Sequence, residues 1–450
     1  MTGGRYIRGS GRKLKEFQKV PSSNKARRTA GILSTLFLFP PIIIFLWYTL
    51  HSMDGSITRS YNQFHMRGWW KSTKDIWPLP TLRSAKLLVI FAAFQSILLL
   101  FLPGDQYAGP LSPAGNRPYF KKNGFRAYMV TLVVYYLLWK EHYFNPAVVY
   151  ECMGEMLSVM IVASYTISIF LYCKAHIHSS SEDWATTGNV LVDFFWGMEL
   201  YPRLGKNFDI KDFLHCRFGM MAWVILIISC AIKQHTTEGR VSKSLGVTSL
   251  LMLAYTSKFF FTESEYWSSA EMVKDRAGFF FTWTSLVWNP FVRILVNVYL
   301  VSHPVPLGTG VALLISAAGL ACTYVIYDCE QQRLLFRRSH GKCRIWGKIP
   351  NKIQSQHVTE HGEQKHLVML TDGWWRVSRH FQYAPEIGVA FFWSLPALFR
   401  NGMPWFYVTF LTVALMDQAH ADDKRCKYIY HKFWESYCKR VPYRIIPYLY

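Results

Sequence analysis

Hydrophobic positions in this chain fall in long unbroken runs instead of the every-third-or-fourth spacing of a soluble amphipathic helix. The clearest cover residues 30–50, 84–103, 124–140, 153–173, 217–232, 245–261 and 305–327, with weaker ones at 277–301, 386–400 and 403–418. Since roughly 20 apolar residues take a helix across a bilayer, the pattern predicts an all-α polytopic membrane protein of about ten transmembrane helices. Two connecting segments interrupt it. Residues 102–118 are punctuated by Gly and Pro, which excludes helix. Residues 188–209 mix Asp193, Glu199, Arg203 and Asp209 with aromatic rings; this reads equally as an interfacial segment or as a tie between two helices.

Charge adds the orientation. Only 17% of residues are charged, against about 25% in an average soluble protein. The arm formed by residues 1–29 holds nine Lys and Arg against the single acid Glu16. The run at 30–50 is too long for the h-region of a cleaved signal peptide, and this arm of nearly 30 residues precedes it. The positive-inside rule puts that arm in the cytosol, and the basic loops at 331–352 and 424–444 ask for the same side. Both termini are therefore expected to be cytosolic, with residues 30–450 forming one transmembrane domain. The net charge of +22 flanks membrane spans, so membrane lipids, and not nucleic acid, are its expected partners. The nine cysteines stand singly with no C-x-x-C pair, which argues against disulfides and a zinc site. Cys230 and Cys322 read as small core residues.

Candidate chemistry concentrates near the C-terminus. His357-Val-Thr-Glu-His361 has the spacing of a di-iron histidine box, but one box supplies too few imidazoles, and His176-Ile-His178 is equally isolated. Glu263, Glu265 and Asp275 lie at span ends and are expected to sit at the interface, whereas Glu386 directly follows the stretch from His380 to Tyr383. Arg333 and Arg337 are one helical turn apart on one face. They suit a pyrophosphate gripped bidentately, and equally a positive stop signal after a span. Trp375 beside Arg379 and His380 offers a stacking ring, while Asp422, Arg425, Cys426 and Tyr430 offer groups for ribose hydroxyls. Together the three clusters favour a nucleotide site.

Several longer stretches carry a family resemblance. They are Asp54-Gly-Ser, Gly109 to Pro118, Asp193 to Arg203, Cys216-Arg-Phe-Gly-Met-Met221, Asp275 to Phe279, Gly341-Lys-Cys343, Ile345-Trp-Gly347 and Val441-Pro-Tyr-Arg-Ile-Ile-Pro447. In this order the chain resembles the sterol C14/C24/C7 reductase family, most nearly its plant-type branch acting at C7, from about residue 30 to Tyr450. The resemblance implies a multi-pass enzyme of the endoplasmic reticulum membrane that reduces the sterol Δ7 double bond with NADPH. The sterol would come from the bilayer, and no obligate protein partner is implied. Carried over residue by residue, the cofactor site comprises Arg333, Arg337, Leu370, Trp375, Gln382, Tyr383, Asp422, Cys426, Tyr430 and Tyr437, in a cofactor-binding part over 328–450. Reduction needs a hydride at one alkene carbon and a proton at the other, and Glu386 or Tyr437 is the expected proton source. A partly buried carboxyl there should hold its proton.

The chain departs from the family pattern at the same site. The usual Arg-x-x-Arg-Asp becomes Gln418-Ala-His420-Ala421-Asp422, Ser-Gly-Trp-Trp-Gly becomes Asp372-Gly-Trp-Trp375-Arg376, and Lys-Tyr-Gly becomes Ile429-Tyr430-His431. A lost charge-assisted hydrogen bond is worth about 1.5–3 kcal/mol, so two absent arginines weaken the cofactor unless Arg376 replaces their charge. The alternatives are a sterol-binding protein of weakened catalysis and a Δ14-sterol reductase. Isoprenylcysteine methyltransferases resemble only the C-terminal Arg-His-x-x-Tyr segment.

Overall fold

The computed structural model describes residues 25–112, 114–358 and 364–448. Most of the basic arm and the His361 end of the histidine pair fall outside them. Among the described residues, seven helices are long and apolar enough to cross a membrane: α1 (Thr29–Ser52), α2 (Leu82–Phe101), α3 (Met153–Ile177), α4 (Ile210–Glu238), α5 (Lys243–Phe261), α6 (Phe279–Ser302) and α7 (Thr309–Arg338). The chain is thus an all-α polytopic membrane protein. The remaining apolar runs also form helix, over Gly124–Lys140, α8 (Tyr383–Ser394) and α9 (Phe406–Tyr430). With only 12 residues, α8 rises about 18 Å, less than a bilayer core. Helix α10 (Lys432–Arg440) follows α9.

Two compact units contain these elements, Met1–Arg240 with Phe259–Ser302, and Val241–Lys258 with His303–Tyr450. In the first, two spans carry π-helical turns, Phe213–Met220 in α4 and Thr284–Trp288 in α6. The extra residue of each such turn widens the helix and re-aims side chains. A Cβ at Gly219 would strike the Ser285 carbonyl oxygen, so glycine is what lets the two turns approach. The widened turn directs Arg217 inward, fully buried, to Glu263 at 3.0 Å. Glu263 also accepts from the Gly124 N–H at 2.9 Å. This corrects the interfacial reading of Glu263. It is buried because its countercharge, 46 positions earlier in the chain, is buried with it. Asp275 is exposed, and its carbonyl accepts from Lys211.

The connecting segments are built by local hydrogen bonding. The described residues of 102–118 contain no helix; Asp105–Ala108 instead pairs with Tyr119–Lys122 in an antiparallel hairpin. In the second segment, Glu199 is paired with Lys174 at 2.8 Å and Asp209 with Arg203 at 3.5 Å, and both acids are buried. Glu199 ties the segment to the end of α3, and Asp209 pairs within the segment itself. Cys230 is fully buried, a small core residue as read.

In the second unit, α7 and α8 pack closely because Gly388 lies against Cys322, whose sulfur would be 2.9 Å from an added Cβ. Thr248 of α5 donates to the Trp393 carbonyl at 2.9 Å, and Lys258 pairs with Glu330. Beyond α7, strands β1 (Lys352–Val358) and β2 (Gln364–Leu370) form an antiparallel hairpin with Lys352 opposite Leu370.

Candidate functional site

The last three turns of α7 form one wall. Asp328 accepts the Trp374 indole N–H at 2.6 Å and the Gln332 amide at 2.8 Å. Gln332 in turn accepts the Trp374 backbone N–H at 3.2 Å, and the Trp375 indole donates to the Cys329 carbonyl at 3.2 Å. Gly373 sits at φ +63, and an added Cβ would meet Gln332, so the Asp372-Gly-Trp-Trp turn requires glycine there. The outcome is Trp375 buried with Leu370, Phe336, Cys343 and Ile345, and the Arg333 guanidinium 5.4 Å over its ring. Among the described residues neither Arg333 nor Arg337 has a carboxylate partner. Two cations one turn apart with no countercharge, next to a fixed indole, suit a large anion bearing a planar ring.

The opposite wall comes from α9, α10 and the C-terminal segment. Arg379 binds Asp423 bidentately at 3.1 Å for each contact and donates to the carbonyls of Val441 and Pro442. Arg444 donates to the same Asp423 at 2.6 Å, while the backbone N–H groups of Arg379 and His380 donate to the carbonyls of Tyr443 and Arg444. Arg379 is therefore committed to holding the C-terminal segment and is not free for a ligand. Its neighbour Asp422 faces the site, with its carboxylate 3.9 Å from His380 Nε2. The His380 ring stacks on Tyr383 at 5.2 Å, and burial lowers its pKa while Asp422 opposes that shift. Burial pushes the Tyr383 phenol up to about 12, with Asp422 and Glu386 raising it and Arg333 opposing. Tyr383 thus lies within the fields of all three charged residues. Buried His380 Nε2 and Gln382 Oε1 have no hydrogen-bond partner, and such atoms call for a bound group or water. Tyr430, its pKa raised by burial, is surrounded by the charges of Arg425, Arg337 and Asp422.

The sequence-derived residues therefore divide by position. Arg333, Arg337, Tyr383, Asp422 and Tyr430 share one electrostatic neighbourhood, and Leu370 packs with Trp375. Tyr437 sits in an adjoining apolar cluster with Met369, Trp434 and Val441, against which Cys426 and Tyr430 pack. Glu386 has a partner that sequence reasoning missed. The Tyr255 hydroxyl of α5 donates to it at 3.2 Å, with the Tyr255 ring edge-on to Trp393 at 5.8 Å. Nothing in the apolar run around Tyr255 marks it, because the pairing spans 131 positions of chain.

Each departure from the family pattern has a place. Asp372 accepts from the Gly373 N–H and from both nitrogens of Asn351, so it strengthens the turn that a serine would cap. Gln418, Ala421 and Arg376 are exposed. His431, at the break between α9 and α10, adopts φ +45 and ψ −119, a conformation that favours glycine.

Comparison with known proteins places nearly the whole chain among sterol reductases. The model of the ergosterol biosynthesis ERG4/ERG24 family matches residues 22–450. A 7-dehydrocholesterol reductase of Arabidopsis thaliana is 49% identical over 421 residues, 94% of this chain and 97% of the relative. A 7-dehydrocholesterol reductase of Xenopus laevis is 31% identical over 83% of this chain and 82% of its own. A Delta(14)-sterol reductase of Methylotuvimicrobium alcaliphilum is 28% identical over 93% of this chain and 94% of its own.

Proposed function

The chain belongs to the ergosterol biosynthesis ERG4/ERG24 family of sterol reductases, and from that premise we propose that it reduces the C7–C8 double bond of sterols with NADPH. One observation carries the proposal. Two uncountered arginines, a fixed indole and a carboxyl–phenol pair lie in the same compact unit. When bound, NADPH supplies the hydride, delivered to C7.

The chain's own groups do the rest. Arg333 and Arg337 hold the phosphates, and Trp375, fixed by its indole bond to the Cys329 carbonyl and by the turn that Asp328 and Gln332 hold through Trp374, offers a rigid face for a ring. Gln382 and His380 supply the buried polar atoms that lack partners, and Asp422 and Tyr430 take the ribose side, with Cys426 and Leu370 lining the apolar wall. Glu386 transfers a proton to C8, since an alkene without an electron-withdrawing substituent accepts hydride poorly unless its other carbon is protonated. Tyr255 is the hydroxyl that orients this carboxyl, while Tyr437 stays in the cofactor wall. The sterol enters from the bilayer. We place the enzyme in the endoplasmic reticulum membrane with about ten crossings and both termini cytosolic, following the positive-inside bias. Glycosylation of acceptor tags at either end would refute that topology.

The test is the purified protein with a 7-dehydrosterol and NADPH deuterated at the transferable position. The expected product carries deuterium at C7 only. With a Δ8,14-sterol offered in parallel, saturation of C14–C15 there and an untouched 7-dehydrosterol would favour the Δ14 reading, and tight sterol binding without turnover of either would leave a binding protein.

A further inference from the structure

The segment leaving α7 supplies a surface that the reductase reading does not use. From Ser339 to Pro350 the chain contains Lys342, Arg344 and Lys348 and no acid. Burial alternates along it, with Gly341, Cys343 and Ile345 facing in, and Lys342, Arg344 and Trp346 facing out. Ile345 and Lys348 exchange both backbone hydrogen bonds, at 2.8 and 3.1 Å, closing a two-residue turn on Trp346 and Gly347. Both central residues have positive φ, +47 and +79, as a type I′ turn demands, and that position favours Asn or Gly. Here a tryptophan takes it, 61% exposed, followed by Ile349, 73% exposed. Among the described residues Lys342, Arg344 and Lys348 make no ion pair. A strained backbone that presents an indole and an isoleucine between free cations gains nothing in water.

The depth of this turn follows from its contacts. The apolar part of α7 ends at Tyr327, and Arg338 lies ten residues beyond Asp328, about 15 Å along the axis. The chain then folds back. Trp346 lies edge-on to Trp374 at 5.2 Å, and Trp374 donates to Asp328. The turn therefore returns to the level at which α7 leaves hydrocarbon, where Trp is favoured because its ring is amphipathic. We propose that the turn Ile345–Lys348 is a membrane-interface anchor for anionic phospholipids, with Trp346 and Ile349 inserted at the acyl boundary and Arg344 and Lys348 on headgroup phosphates. The outward side chains Arg344, Trp346, Lys348 and Ile349 take no part in the reductase chemistry.

The experiment uses the full chain in nanodiscs, with Ile349 replaced by p-benzoylphenylalanine and photoproducts read by mass spectrometry. One set of discs is phosphatidylcholine alone, and a second contains roughly one third phosphatidylserine. Phospholipid adducts are expected in both, with phosphatidylserine over-represented in the second. In that background Arg344→Gln with Lys348→Gln should lower the phosphatidylserine adduct about 25-fold, since each interfacial cation is worth roughly 1 kcal/mol, about fivefold, and leave sterol turnover in neutral discs unchanged. Photoproducts confined to protein would overturn the anchor. Adducts with no phosphatidylserine preference, or a preference that survives the double substitution, would overturn the headgroup contact.

Discussion

Tyr255→Phe isolates the feature of the site that only the folded chain reveals. The substitution deletes one hydroxyl and keeps the ring that packs edge-on against Trp393, so the helix contact survives. What is lost is the donor at 3.2 Å from one Glu386 oxygen and 3.4 Å from the other. Hydrogen bonds to charged groups contribute about 1.5–3 kcal/mol, and O–H···O bonds are usually 2.5–3.0 Å long, so the lower end of that range applies. About 1.4 kcal/mol is a tenfold rate change. Tyr255→Phe should therefore lower kcat roughly tenfold with the KM for NADPH unchanged, because the hydroxyl touches Glu386, the proposed proton donor. Glu386→Gln removes the proton donor itself and should cost about 10²–10⁴. If Tyr255 acts through Glu386, the double variant is no slower than Glu386→Gln alone. The assay is steady-state turnover in matched nanodiscs. Wild-type kcat in Tyr255→Phe, or fully additive losses in the double variant, would refute the reasoning.

Four further outcomes follow. Arg337→Ala or Trp375→Ala should raise the NADPH requirement far more than the sterol requirement, measured by varying each at saturating levels of the other; equal NADPH affinity would remove both from the cofactor site. Arg376→Gly should weaken NADPH if that guanidinium replaces the two missing cations, in which case Gln418→Arg with Ala421→Arg adds little to the native chain; a large gain from the restoration would mean that Arg376 does not compensate. Asp423→Ala leaves the buried Arg379 charge uncompensated, a loss of about 3 kcal/mol, and should expose the segment after Val441 to carboxypeptidase; unchanged protection would contradict the latch. His431→Gly should relieve backbone strain of about 1–3 kcal/mol, partly offset by glycine's entropy, and raise the midpoint of thermal unfolding in detergent; a lowered midpoint would show the histidine to be at ease there.

What the sequence discloses and what it conceals have physical reasons. The spans were legible because lipid exposure demands continuous apolar runs, and Arg333 and Arg337 because helical periodicity places them on one face. The absence of helix between Leu102 and Pro118 was legible from Gly and Pro, but the hairpin of Asp105–Ala108 with Tyr119–Lys122 was not, since strands of four residues leave little alternation. The π-helical turns in α4 and α6 carry no periodic signal of their own. Without them the burial of Arg217, and with it that of Glu263, has no forecast. Tyr255 stayed hidden for a related reason: its partner lies on another helix, and a tyrosine within an apolar run reads as core. The Trp346 turn carries no local signal in the sequence, because an indole at positive φ contradicts local preference.

The central claim, reduction at C7–C8, is tested most directly by the sterols of a yeast strain that accumulates Δ7-unsaturated sterols and expresses this chain. Gas chromatography with mass spectrometry of the extracted sterols should show these replaced by C7–C8 saturated products, and the replacement should vanish with Glu386→Gln. Unchanged Δ7 unsaturation, with the full-length protein present in the membrane fraction, would contradict the account.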